Sequence, residues 1–223
     1  HHLQRVRRLR VGEPITVADG LGRWRPYTVA DAGRGRLVLR ATGPVAREPV
    51  LTPGLAVAFA LGKGAKPELV VADLTELGVD RIVPFRSVRS VVRWDDDRAR
   101  SATVRLRRVA REAAMQCRRS RLPVVDEPVA LDALATTGTV VIGSPTGVAP
   151  AAVPIPAGGE WLALVGAEGG LSAEEIADLT GRPGTVEMAV GPHVLRTETA
   201  AVALAAVLAA RRSVSDPTTL RST

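Results

Sequence analysis

The sequence is short of the residues that build several common kinds of functional site. It holds one cysteine, Cys117. No disulfide and no cysteine-rich metal centre can form within one chain, and a reducing compartment fits. Histidine occurs three times, at His1, His2 and His193. A multi-histidine metal centre is therefore not expected, and a Ser-His-Asp set has only His193 in the chain interior to draw on. Aromatics make up 3% of the chain, so the core has to be built from Val, Leu and Ala. The longest apolar stretch, residues 200–210, is too short to span a bilayer. No secretory signal is visible, and the expected setting is the cytoplasm. The chain begins at His1 without a Met, so an N-terminal piece is expected to precede it.

Two further absences concern nucleotides and metals. No G-x-G-x-x-G opens a strand–helix unit. "GKGAK", residues 62–66, lacks the upstream glycine and the following hydroxyl residue of a phosphate loop. "WDDDRAR", residues 94–100, offers three adjacent acids; that pattern fits a solvated loop opening a helix better than a metal site.

What is present is arginine. The net charge is +7, and arginine supplies nearly all of the positive side. Such a balance points to a polyanionic partner, with nucleic acid ahead of membrane. An arginine-rich coding bias explains the count equally well, so the placement of the charges has to decide. The hydrophobic fraction of 46% over 223 residues supports one large domain, or a small one joined to a medium one.

Residues 1 to about 52 read as short strands and turns: "PITVADG", "RPYTVADAGRG", "RLVLRATG". This is a small, mostly antiparallel unit carrying Arg5, Arg7, Arg8, Arg10, Arg23, Arg25, Arg34 and Arg36. "REPVLTPG", residues 47–54, reads as a linker. Strands then alternate with helices. "LAVAFAL", "RIVPF", "TVVIG", "WLALVG" and "TVEMAVG" are strands. Pro67 opens a helix closed by Gly78, and residues 101–119 form a long helix with apolar Val104, Ala110, Ala113, Ala114 and Cys117. Ser172 caps another helix, with Glu175 completing a capping box. Thr197 is expected to cap a last helix running to about Arg212, apolar nearly all round and so buried or facing a second subunit. The alternation implies a parallel sheet with ligands beyond the carboxyl ends of its strands. Three strands end in glycine-bearing stretches: "IGSPTG", "VGAEGG" and "VGPHVLRTE". These are either tight turns or the walls of one cofactor cleft; three such loops in the last third favour the cleft.

At "TELGVDRIVPFRSVRSV", "REAAMQCRRSRLP", "LVGAEGGLSAEE" and "VGPHVLRTETAA" the chain resembles the bacterial small-subunit ribosomal RNA uracil-N3 methyltransferases, a family within the SPOUT superfamily. The similarity runs in order across nearly the whole chain. "HHLQRVRRLRVGE" is similar to that family's N-terminal barrel without its first strand. The resemblance implies a PUA-like RNA-binding β-barrel over 1–52 and an α/β trefoil-knot methyltransferase domain over 53–223, with a mainly parallel sheet. It implies S-adenosylmethionine as cofactor, a homodimer, and 16S ribosomal RNA of an assembled small subunit as substrate, with no metal and no membrane. Carried over by position, the first cofactor stretch is Gly143, Ser144, Pro145 and Gly147. The second is Val165, Gly166, Glu168, Gly169 and Gly170. The third is Val190, Gly191, His193, Val194, Leu195 and Thr197, with Arg196 among them. Departures from the family are Ala167 for Pro, which should loosen the turn, Asp73 for Lys, and Arg118 for Gly.

Methylation of uracil N3 requires loss of its proton and stabilisation of charge on O2 or O4. Arg196 is the candidate donor; a salt bridge with Glu168 or Glu198 is the alternative. Glu198 is either a general base or a carboxylate favoured by the helix dipole. Glu168 either bonds a ribose hydroxyl or holds its loop. Gln116, Arg119 and Arg121, with Arg5, Arg8 and Arg10 of the barrel, form the expected RNA contacts; a solvated face is the alternative for Arg121 and, less readily, for Arg119. Arg105, Arg108, Arg111 and Arg118 lie near one helical stripe, either a solvated face or part of an RNA track. A non-catalytic RNA-binding protein of the same fold is the rival reading.

Overall fold

The structure, a computed structural model, describes residues 9–33, 36–61, 66–90, 96–134 and 138–214. The chain divides into two compact units: His1–Pro49 with Arg118–Leu122, and Val50–Cys117 with Pro123–Thr223.

The smaller unit is antiparallel. Strand β2 (Arg23–Gly33) lies between β1 (Pro14–Ala18) and β3 (Arg36–Ala41), and β4 (Ala46–Arg47) pairs with its first residues. The β1–β2 turn is organised by Asp19, whose carboxylate accepts from the backbone of Leu21 and Arg23 and from the Arg23 guanidinium. The Arg23 side chain first, and the Leu21 N–H second, hold this carboxyl at about 2. Residues 118–122 are stitched into the same unit by Glu48. One carboxylate oxygen accepts from Ser120 N at 2.6 Å, Ser120 Oγ at 2.6 Å and Arg121 N at 3.0 Å. The Arg121 side chain lies against Gly22, where a Cβ would come within 2.5 Å of Nη2. Gly22 also has φ +96°, so glycine is required there twice over.

The larger unit is a seven-stranded, wholly parallel sheet in the order β12-β10-β11-β6-β7-β8, with β9 also on β7. Its strands are β6 (Gly54–Ala60), β7 (Arg81–Arg86), β8 (Val124–Val125), β9 (Val129–Ala130), β10 (Gly138–Val148), β11 (Glu160–Val165) and β12 (Thr185–Met188). The central pair, β6 and β11, is buried on both faces, which explains their uninterrupted apolar runs. Alternation sorts the side chains. Leu55, Val57, Phe59, Trp161, Ala163 and Val165 join one core cluster with α1 (Pro67–Glu76), α2 (Asp96–Gln116) and α4 (Thr197–Ala209). Ala56, Ala58, Ala60, Leu162 and Leu164 join the other, beneath α3 (Ala173–Thr180).

Several expectations need adjusting. The long helix begins no later than Asp96 and stops at Gln116, because Arg118 adopts φ 62°. Ala110, Ala113 and Ala114 are buried as expected, joined by Ala102 and Leu106, whereas Val104 and Cys117, expected on the same side, are exposed. Arg118 therefore leaves the stripe of Arg105, Arg108 and Arg111. The last helix ends at Ala209, and its cap is Arg196 without a side-chain bond, while Thr197 is the first helical residue. Part of the expected linker is strand: β4 ends at Arg47, and β5 (Leu51–Thr52) pairs with β13 (Ser213–Val214). The reason is Arg212, whose side chain is 1% exposed and donates to the carbonyls of Leu51, Pro53 and Gly78 and to Asp80. A fully buried guanidinium demands that many acceptors, and they hold β13 beside β5.

Removing the Glu48 carboxylate leaves the buried Ser120 donors unpaired. Glu48→Ala should lower stability by about 1–3 kcal/mol, read as a lower urea midpoint at unchanged slope.

Candidate functional site

The parallel register brings the carboxyl ends of neighbouring strands to one level. Ile142 on β10 stands opposite Leu164 on β11 and Glu187 on β12, and Val165 stands opposite Phe59 on β6. The three glycine-bearing stretches therefore begin at neighbouring positions on the sheet.

The first stretch is not a strand-to-helix loop. It is an irregular segment inside β10: Gly143 and Val148 both register against Met188, so residues 144–147 bulge out of the ladder. Ser144 and Thr146 share a hydroxyl contact of 3.2 Å across that bulge, and Pro145 is exposed. A Cβ on Gly147 would lie 2.5 Å from Glu187 C and Met188 N, and one on Gly143 would press on Leu204 of α4 at 3.3 Å. These glycines are small because other parts of the chain pass close by.

The second stretch closes into a turn in which Gly170 N donates to Ala167 O at 2.8 Å. Gly170 takes φ +68°. A Cβ on Gly166 would meet Gly170 C and Leu171 N at 3.1 Å. Ala167 is buried in the second core cluster. The turn closes with alanine at position 167. Glu168 is exposed and, among the described residues, makes no ion pair.

The third stretch carries the open edge of the site. Gly191 has nothing within 4 Å of a built Cβ. His193 and Val194 are exposed, Val190 and Leu195 half-buried. Thr197 is 4% exposed, and its Oγ1 donates to Gly166 O at 3.0 Å, fastening the third stretch to the second. Arg196, one residue earlier, is exposed and among the described residues pairs with neither Glu168 nor Glu198. Glu198 is half-buried in the first turn of α4, where the helix dipole favours a carboxylate.

One contributor escaped the sequence reading. Arg89, three residues past β7, donates from Nη1 to Gly169 O at 2.7 Å. Its neighbour Val88 donates from N to Glu175 Oε1 at 2.8 Å. Glu175 in turn completes the expected capping box with Ser172. The available signal was position: an arginine just beyond the carboxyl end of a parallel strand lies at the ligand end of the sheet.

The remaining site residues fall in both units. Gln116 is exposed at the end of α2. In the smaller unit Arg10 is exposed, Arg119 is half-buried, and Arg121 is half-buried with its Nε unpartnered. Arg5 and Arg8 lie outside the described residues. Among the described residues no cluster of His, Cys, Asp and Glu could hold a metal ion, and no helix is long and apolar enough to cross a membrane.

Comparison with known proteins gives consistent results. A family model described as an RNA methyltransferase domain matches residues 51–209, and one described as an RNA methyltransferase PUA domain matches residues 1–42. The chain is 38% identical to a ribosomal RNA small subunit methyltransferase E of Mycobacterium bovis over 216 residues, covering 92% of this chain and 82% of that protein. Its identity to the protein of that name from Bacillus subtilis is 30% over 215 residues, covering 90% and 82%. The crystal structure of a ribosomal RNA small subunit methyltransferase E from Neisseria gonorrhoeae bound to S-adenosyl methionine superposes with a TM-score of 0.80 at 25% identity, covering 93% of this chain and 86% of that one.

Two glycines separate packing from ligand access. Gly147→Ala should lower Tm by several degrees, an overpacking cost of about 1–3 kcal/mol. Gly191→Ala should leave Tm unchanged, because its Cβ enters open space. A thermal melt of each variant checks both.

Proposed function

The chain belongs to the RNA methyltransferase family, and on that premise we propose that it transfers a methyl group from S-adenosylmethionine to N3 of a uridine in 16S ribosomal RNA, near the decoding centre of the small subunit. The observation that carries this reading is the junction of the strand ends, where Thr197 fastens the third stretch to Gly166 and leaves Arg196 exposed beside it.

The residues present suit the cofactor. Gly191 leaves the edge of its stretch open, and the main chain of the glycine-bearing stretches 143–147, 166–170 and 190–195 offers N–H and C=O groups to an adenosine. We assign Gly143, Ser144, Pro145, Val165, Gly166, Glu168, Gly169, Gly170, Val190, Gly191, His193, Val194, Leu195 and Thr197 to holding it. When bound, it supplies an electrophilic methyl carbon on a sulfonium. The chain's own part is to orient the uracil, exclude water and manage the N3 proton. Arg196 donates to O2 or O4 and stabilises the negative charge that develops as that proton leaves. Glu198, without a cation partner among the described residues, is the nearest carboxylate in sequence to accept it.

The barrel unit, residues 1–52, is assigned to RNA binding and residues 53–223 to methyl transfer. Arg10, Arg119 and Arg121 in the smaller unit and Gln116 at the end of α2 are the proposed RNA contacts, together with Arg5 and Arg8. The target base has to be unstacked, which a ribosomal junction in an assembled subunit provides. Assembled subunits place the reaction in the cytoplasm. The enzyme is taken to be a homodimer, with the outward side of α4 as the expected interface.

Small subunits from a strain lacking the modification, incubated with tritiated cofactor and digested to nucleosides, test the assignment. Label should run as 3-methyluridine; label in any other nucleoside overturns the position. Arg196→Ala should reduce turnover by at least about 100-fold, the usual cost of one charge-stabilising donor, with cofactor affinity reduced far less. Unchanged turnover removes Arg196 from the mechanism.

A further inference from the structure

We propose that Arg89 is a positioning residue for the methyl-donor site: its guanidinium fixes the Gly169 carbonyl and holds the 166–170 turn in the shape that receives the cofactor. The inference rests on the cofactor assignment above and goes beyond it in naming what shapes the pocket wall.

The turn has little to hold it. Two of its residues are the adjacent glycines 169 and 170, which carry the largest conformational freedom of any residue type. Inside the turn the Gly170–Ala167 bond closes the backbone. At its tip, Arg89 Nη1 donates to Gly169 O at 2.7 Å. The arginine stem lies along the same glycine, 3.7 Å from where a Cβ would stand.

Arg89 is itself delivered by a hydrogen-bonded turn. Ser87 N donates to Ser90 Oγ and Ser90 N to Ser87 O, both at 3.0 Å, which closes residues 87–90 into a turn. Val88 N is then anchored on Glu175 of the capping box. The Arg89 charge also reaches Glu174, whose carboxyl lies below the usual carboxylate range, chiefly through backbone and Ser172 hydrogen bonds and, more weakly, through Arg89.

Gly169 is exposed, so water would satisfy its carbonyl if Arg89 were absent. The bond is therefore not needed to bury a polar group. Its effect is to select one conformation of a glycine-rich turn before the ligand arrives, which lowers the ordering cost of binding.

The test uses the full chain as Arg89→Ala and Arg89→Lys, with S-adenosylmethionine titrated by calorimetry, Tm measured without cofactor, and steady-state transfer to small subunits. Arg89→Ala should weaken cofactor affinity and raise its KM by roughly tenfold, the weight of one charge-assisted hydrogen bond, with kcat and cofactor-free Tm nearly unchanged. Arg89→Lys should recover most of the loss, because a single donor reaches the carbonyl. Wild-type affinity in the alanine variant overturns the proposal. So does a loss shared equally by both variants with a lowered Tm, which marks a structural role, or a fall in kcat at constant KM, which marks a catalytic one. A wild-type protein that binds cofactor yet methylates no ribosomal RNA overturns the substrate reading alone, and Arg89 is then judged by the calorimetry.

Discussion

The parallel register of β10, β11 and β12 is the constraint on which the site depends. Adjacent parallel strands that finish at one level release their chains into the same small space, and those chains must pass one another at backbone distance. Side chains cannot be accommodated at the crossings. Gly147 meets the backbone of β12, and Gly166 meets its own returning turn. The Thr197 hydroxyl then converts proximity into attachment by bonding Gly166 O. A buried hydroxyl with a carbonyl partner costs little and fixes the approach of α4 to the turn. The glycines were expected to admit a ligand; at Gly147 and Gly166 the space belongs to the protein's own backbone, while Gly191 stands open.

The arginine excess divides into two populations. Arg107, Arg211 and Arg212 give their guanidinium hydrogens to main-chain carbonyls, and Arg81 lies between Glu160 and Asp126. Burial opposes the charge on Arg81, yet those two carboxylates outweigh it and raise its affinity for the proton. Arg211 also covers the face of Trp161, the largest buried side chain, at 5.3 Å. These arginines act as multi-donor fasteners in a chain with few aromatics. Arg86, Arg111, Arg118 and Arg196 remain exposed. This exposed group, with Arg10 and the half-buried Arg119 and Arg121, is the part available to a polyanionic partner, and a net charge taken from composition merges it with the fasteners.

Much of the architecture was legible in the sequence because parallel strands buried on both faces leave continuous apolar runs, and because caps are local. "LAVAFAL", "WLALVG" and the Ser172–Glu175 box carry their signals within a few residues. Helix ends were less legible. The long helix stops early because Arg118 turns left-handed; its standing where the resembling family has Gly marked the position, while the arginine itself carries no such signal. The bulge in β10 was read as a loop, since a strand that loses and regains its register has the same composition as a turn. Arg89 and Arg212 were missed for a shared reason. Their importance comes from carbonyls contributed by segments 80 and more than 130 residues away, and a backbone acceptor has no sequence signature.

The central claim is that the three stretches form one receiving surface. Hydrogen exchange of the full chain, with and without S-adenosylmethionine, measures that directly. The account predicts slowed exchange in residues 143–147, 165–170 and 190–197 together, saturating at the same cofactor concentration. Protection confined to one stretch, or absent from all three, would contradict it.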